Sequence, residues 1–188
     1  MVKVVILVAG KRKSGKDFVS GRIQDILSRQ CGVEMGSVSQ GLKKEYARLH
    51  GLNYEELLTD GPYKEEYRKD MIRWGEEQRA KDPHIFCRET LRTESSAADV
   101  LIITDCRRET DMQFYKSLPD TLAITVRISC STIERVKRGF EYNSVIDDSQ
   151  SECGLDNYPF DFYIDNSGDA DLLAGSLEQL TVRVFAAL

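Results

Sequence analysis

The sequence predicts an α/β protein of three layers, a parallel sheet with helices packed on both faces. Two features of the 188 residues point to it. Apolar, β-branched runs at Val2–Ala9, Val100–Thr104 and Thr121–Ile128 alternate with segments of helical period, the pattern of strands joined by crossover helices. The first run also feeds directly into GKRKSGKD, Gly10 to Asp17, a glycine-bounded loop that opens a helix. No repeat or low-complexity linker divides the chain, and its length suits a single domain with a sizeable core.

The elements follow in order. The first strand lies within Val2–Ala9, and the first helix runs from Asp17 to about Arg29, with Phe18, Ile23, Ile26 and Leu27 as its apolar stripe. A short strand is expected near Val33–Val38. Next comes a mostly helical region from Gly41 to about Glu94: Leu42–His50, a piece around Tyr54–Leu58, Tyr63–Lys81, and a helix opened by Asp82-Pro83 as N-cap and N1. The Val100–Thr104 strand ends at Asp105, and Thr121–Ile128 forms another. Ser131-Thr-Ile-Glu134 has capping-box spacing and opens a helix to about Arg138. Residues 141–156 are polar and acidic and read as a mobile loop. Phe162–Ile164 is the last strand, and Asp169 or Asp171 caps a C-terminal helix bearing Leu172, Leu173, Leu177, Leu180, Val184 and Phe185. The domain thus divides into a core (1–40, 96–130 and 157–188), a helical region (41–95) and a segment spanning 131–156.

Composition removes several classes of function. A net charge of −5 gives no global basic field for nucleic acid or anionic membrane. No apolar run reaches bilayer-spanning length, and the N-terminal run is too short for a secretory signal. The five cysteines are scattered without C-x-x-C spacing, which favours reduced thiols in the cytosol over disulfides or a zinc site. No coiled-coil or self-association segment is present, so a monomer is expected.

The Gly10–Asp17 loop matches G-x-x-x-x-G-K. Its glycines permit close backbone approach, the following helix offers unpaired N–H groups, and Lys16 offers a charge to β- and γ-phosphates. Asp17 stands where Ser or Thr is usual. It either serves as a hard oxygen ligand to Mg²⁺ or satisfies the helix N-terminus. Asp105, at a strand end, is placed to organise Mg²⁺ or to cap the next helix, and Arg107 and Arg108 lie beyond it at the carboxyl edge of the sheet. Lys64 and Arg68 share a helical face, with Arg79 and Arg88 following; they form a second anion pocket or a solvated surface. Arg127, Arg135, Lys137 and Arg138 are either lid cations or exposed charges.

The segments GKRKSGKDF, YKEEYRKDMIRWGEE, the DPxxFCR element at Asp82–Arg88, TDCRR and DDSQSECGLDN together resemble animal-type phosphomevalonate kinase. The likeness runs from the first strand to the last and is weakest in the C-terminal helix. It implies a nucleoside-monophosphate-kinase-like P-loop fold in which 41–95 binds substrate and 131–156 is the lid. It also implies transfer of the γ-phosphate of Mg·ATP to (R)-5-phosphomevalonate. Lys11, Arg12, Lys13, Ser14, Gly15, Lys16 and Asp17 fall on the family's ATP loop, with Gly10 opening it, and Asp after the lysine is a family trait. Lys64, Arg68, Arg79, Arg88, Arg107 and Arg108 fall on basic positions associated with phosphomevalonate and the transferred phosphate. Arg138 matches a lid arginine, while the roles of Arg135 and Lys137 stay open. Asn166 and Ser167 match a loop beside adenine, Ser167 departing from the expected residue. Lys16, Arg107 and Arg108 are the catalytic candidates, and Asp17 and Asp105 the Mg²⁺ candidates. The competing readings are a kinase of the same fold with a nucleotide or hydroxyl acceptor, and a non-catalytic nucleotide switch.

Overall fold

The structure, a computed structural model, describes residues 2–59, 61–94 and 98–188. The expected border between helical region and core, at 95/96, lies outside the described residues. Those residues form a five-stranded, wholly parallel sheet of β1 (Val4–Ala9), β2 (Val33–Gly36), β3 (Val100–Ile103), β4 (Leu122–Ser129) and β5 (Phe162–Asp165), in the order β2-β3-β1-β4-β5. Central β1 pairs with β3 from Val4↔Val100 and with β4 from Val4↔Leu122. The chain leaves β1 toward one edge and later returns to its other side, so the carboxyl end of β1 is the switch point where such sheets bind ligands.

Strand periodicity divides the core between the two faces. Val4, Ile6 and Val8 point into one cluster with Val19, Ile23 and Leu27 of α1 (Lys16–Leu27) and Leu177, Leu180 and Val184 of α10 (Ala170–Phe185). Val5, Leu7 and Ala9 point the other way, against Phe86 and Cys87 of α5 (Ile85–Glu94) and Met112 and Tyr115 of α6 (Glu109–Lys116). A separate cluster of Tyr46, Ala47, Leu57 and Met71 holds together α2 (Val38–His50), α3 (Tyr54–Leu58) and α4 (Pro62–Lys81), so the helical region has its own small core.

Several expectations are corrected. Phe18 is 56% exposed, and Val19 takes the inward position, because Val19 stands four, seven and eight residues before Ile23, Ile26 and Leu27 and so shares their face, whereas Phe18 is turned off it. Leu172 is likewise exposed at the start of α10. The second helix starts at Val38, capped by Ser37, rather than at Leu42. Asp82-Pro83 does not open α5 directly: Asp82 ends α4, and its carboxylate accepts from His84 N across the turn that leads to Ile85. The helix expected after Asp105, for which the sequence pattern gives no bounds, is α6, from Glu109 to Lys116. Residues 141–156 are not a plain loop: they contain the helical turns α8 (Ser144–Asp147) and α9 (Gln150–Cys153) and bury Glu152 and Leu155. The capping box at Ser131 is half-formed. Ser131 Oγ accepts from Glu134 N at the start of α7 (Thr132–Lys137), while the Glu134 carboxylate pairs with Lys137.

Candidate active site

The loop between β1 and α1 sits at that switch point. Gly15 ends it with φ 85°, a left-handed conformation that glycine adopts without strain. A side chain there would also collide with the Asn166 amide and meet Arg138 Nη1 at 3.1 Å. At the other end, a Cβ on Gly10 would lie 2.5 Å from the Ile128 carbonyl of β4. The loop therefore lies flush against β4 and the Asn166 turn. Ser14 between them is buried, and its Oγ has no partner among the described residues.

Lys16 folds back on the loop, donating to Gly10 O at 2.8 Å and Lys11 O at 3.2 Å. Burial, then repulsion from Arg107, brings its pKa down to about 8, against the attraction of Glu152, Asp17 and Asp105. Lys13, at φ 61°, and Asp17, on the first turn of α1, are exposed.

The far wall comes from the segment after β4. Arg138 donates to Ser14 O at 3.1 Å and Asn166 O at 2.7 Å, and Asn166 Nδ2 donates to Ser14 O at 2.9 Å. Ser167 Oγ accepts from Ser131 N and donates to Asp165, tying the β5 turn to the start of α7. Arg135 Nε donates to Arg12 O at 2.9 Å and stacks 3.8 Å from the Phe140 ring centroid. Arg135 thus belongs to the loop, whereas Lys137 pairs with Glu134 on its own helix.

Acidic partners that the sequence reading did not single out order the cations. Asp147 accepts from Arg12 Nε and Nη2 at 3.1 and 2.8 Å, which raises the arginine's pKa and lowers the aspartate's. Asp156 accepts from Lys11 and from Arg127 of β4. Burial works against the charge on Lys11, but its bonds to Asp156 and Cys153 outweigh that and raise its pKa. Glu152 reaches furthest in, accepting from Arg12 N at 3.0 Å and Arg107 Nη1 at 2.6 Å. The signal for these residues was the acidic run DDSQSECGLDN itself, sited opposite so many cations.

The strand-end arginines are fixed by the fully buried Asp111, whose Oδ2 accepts from both Arg107 N and Arg108 N while Oδ1 accepts from Arg79 Nη1 at 2.9 Å. Arg108 pairs with Glu76 of α4 and reaches Gln150 Oε1. Arg79, Arg107 and Arg108 are thus brought together beside the loop. Arg88 pairs with Asp82, and Arg68 with Glu65 on its own helix. Along the axis of α4, Arg68 and Lys64 stand about 17 and 22 Å from Arg79, at 1.5 Å per residue, so the acceptor-side cations are spread along this helix rather than gathered.

Asp105 is committed to structure. Its carboxylate accepts from Ser37 Oγ, Val38 N and Ser39 N at 2.8, 2.7 and 3.0 Å and so closes the N-terminus of α2. Of the two roles expected of Asp105, the cap falls on α2 rather than on the next helix, and any part it takes in holding Mg²⁺ would be shared with these bonds; Asp17, exposed on α1, carries no such engagement. Among the described residues no group of three or more His, Cys, Asp or Glu forms a metal cage. Asp17, exposed on the first turn of α1 beside the loop, is a hard oxygen donor of the kind that fits an ion carried mainly by phosphates, as Mg²⁺ is.

The sequence model of the family described as "Phosphomevalonate kinase" matches residues 8–121, a span that holds the loop, the α4 cations and Arg107-Arg108. A phosphomevalonate kinase of Drosophila melanogaster is 38% identical over 189 residues, covering 98% of this chain and 97% of the relative. Among solved structures, a gluconokinase from Sinorhizobium meliloti superposes with a TM-score of 0.52 at 13% identity, covering 97% of this chain and 96% of the other. TT1252 from Thermus thermophilus gives 0.51 at 15%, covering 97% and 98%. Such identities speak to the fold alone, a parallel sheet with flanking helices.

Proposed function

This chain belongs to the phosphomevalonate kinase family, and from that premise we propose that it transfers the γ-phosphoryl group of ATP to (R)-5-phosphomevalonate, giving (R)-5-diphosphomevalonate and ADP in the mevalonate route to isoprenoids. The observation that best supports a two-anion site is that one carboxylate, Glu152, touches both the phosphate loop and Arg107. The donor-side residues and the strand-end arginines therefore share one small space.

The chemistry asks for little beyond charge and position. The acceptor oxygen is already anionic, so no strong base is required; the two histidines, His50 and His84, fall in no convincing catalytic motif of the sequence. The obstacle is repulsion: like unit charges ~4 Å apart repel by about 4 kcal/mol at an effective dielectric near 20. Lys16 and the N–H groups of the loop receive the β- and γ-phosphates, with Gly10–Asp17, Arg138, Asn166 and Ser167 as the ATP side. Arg107 and Arg108 face the phosphoryl group in flight and stabilise its spread charge. Arg79 and Arg88, with Lys64 and Arg68 further along the helical region, receive phosphomevalonate as α4 closes toward the loop, and closure excludes water from ATP. Asp17, with Asp105 at most through water, would hold the Mg²⁺ that accompanies ATP, and the ion would supply further neutralisation of the phosphates. No helix among the described residues is long and apolar enough to cross a membrane. A cytosolic monomer that uses no nucleic acid completes the reading.

The test is product identification. Incubation with Mg·ATP and (R)-5-phosphomevalonate should yield ADP and a diphosphate ester in equal amounts by ³¹P NMR, and ADP should not accumulate when the acceptor is left out. ADP formation that ignores the acceptor overturns the proposal.

A further inference from the structure

We propose that Glu152 is a positioning residue for phosphoryl transfer: by joining the Arg107 guanidinium to the Arg12 N–H, it sets that arginine against the phosphate loop. The inference rests on the function proposed above for Arg107. Both Glu152 oxygens are engaged, one by each partner, and its side chain is only 2% exposed. Arg107 itself is 38% exposed, a long flexible side chain that this contact restrains.

A second contact ties the same turn to the same arginine. Gly154 packs so closely that a Cβ there would lie 3.2 Å from the Arg107 carbonyl and 2.6 Å from that of Gln150. The α9 turn is therefore seated on the Arg107 backbone while its glutamate holds the guanidinium. Flanking acids fix the segment to the loop from outside, Asp147 on the Arg12 guanidinium and Asp156 on Lys11 and Arg127.

Charge explains why a carboxylate is needed. Arg107 and Lys16 repel each other across the loop, and Glu152 opposes this, as do Asp17 and Asp105. Of these three, Glu152 alone bonds Arg107 among the contacts described. Removing the negative charge would let the two cations separate, and Arg107 would leave the position from which it meets the phosphoryl group. Displacements near 1 Å at a reacting centre cost roughly 100-fold in rate.

The experiment is a double-mutant cycle on the full chain, reading kcat and both KM values for wild type, Glu152→Gln, Arg107→Gln and the pair. The glutamine keeps the shape but presents one acceptor and one NH₂, so either Arg107 or the Arg12 N–H loses its partner. Glu152→Gln is expected to lower kcat by roughly 100-fold with less than about a threefold change in KM for ATP, and the double variant is expected to be no slower than Arg107→Gln alone. Glu152→Asp, which keeps the charge, should recover part of the lost kcat; it also carries the cycle if the glutamine variant melts below assay temperature. Unchanged kcat in these variants, or losses that multiply in the pair, overturns the inference. So does a lower KM for ATP at unchanged kcat, which would make Glu152 a competitor of the phosphates. Wild-type turnover of phosphomevalonate is read first, so failure of the proposed function is seen separately from failure of this role.

Discussion

Lys16 concentrates the electrostatics of the loop in one group. Lys16→Met should cut kcat/KM by roughly 100- to 1,000-fold or more while the thermal melt stays close to wild type. A near-normal rate would remove the lysine from the chemistry. Its pKa of about 8 gives a further expectation. The free protein loses this charge as pH rises through 8, so kcat/KM for ATP should fall there. Bound phosphates favour the charged form, so the matching limb of kcat should lie at higher pH. A flat kcat/KM from pH 7 to 9.5 would contradict this. Arg107→Ala and Arg108→Ala should each lower kcat by roughly 1,000-fold, the scale known for transition-state arginines; loss of thermal stability alone would assign them to structure. Lys16 and the arginine pair were legible in the sequence because backbone geometry fixes their spacing within short motifs. Glu152, Asp147 and Asp156 were not, because an acidic residue on a mobile-looking segment becomes a partner only when folding across the sheet brings it to a cation; nor was Asp111, whose partner Arg79 lies 32 residues away on α4.

At the scale of elements, Asp105 has the clearest consequence. It fastens β3 to α2 by accepting from Ser37 Oγ and two N–H groups, so Asp105→Ala should cost about 1–3 kcal/mol in urea unfolding, the range for a lost cap that leaves buried donors unmet. Asp17→Asn should leave unfolding unchanged yet raise the Mg²⁺ concentration needed for half-maximal rate. The reverse pattern would exchange the two roles. Gly15→Ala should destabilise by about 1–2 kcal/mol from backbone strain alone, and more if Asn166 is pushed off Ser14. The long elements were readable for different reasons: β1 by its unbroken apolar run, α4 by its length behind Pro62 at N1, and α10 because its apolar stripe and the Asp169 cap agree. The bounds of α6 were not readable: its N-cap position is Arg108, its N-terminal backbone is satisfied by Asp111 from inside the helix, and Asp105, the preceding candidate cap, is spent on α2. Helices α8 and α9 span four residues each and carry too little periodicity to stand out from a loop.

Across the whole molecule, the alternation of strands and helices gave the three-layer class, but not the strand order. Placing β3 between β2 and β1 depends on pairing between segments far apart in sequence, which no local pattern encodes. The order matters because it brings the carboxyl ends of β1, β3 and β4 together, and with them the loop, the strand-end arginines and the segment that carries Arg138. The helical region meets this centre at Glu76 and Arg79, near the C-terminal end of α4, while Arg68 and Lys64 lie further up the same helix. The measurement that tests the central claim most directly is kcat/KM across a panel of acceptors with Mg·ATP: 5-phosphomevalonate, mevalonate, shikimate, gluconate, AMP and UMP. The account predicts turnover on 5-phosphomevalonate exceeding every other acceptor by orders of magnitude. Efficient phosphorylation of a nucleotide or hydroxyl acceptor, with none of 5-phosphomevalonate, would contradict it.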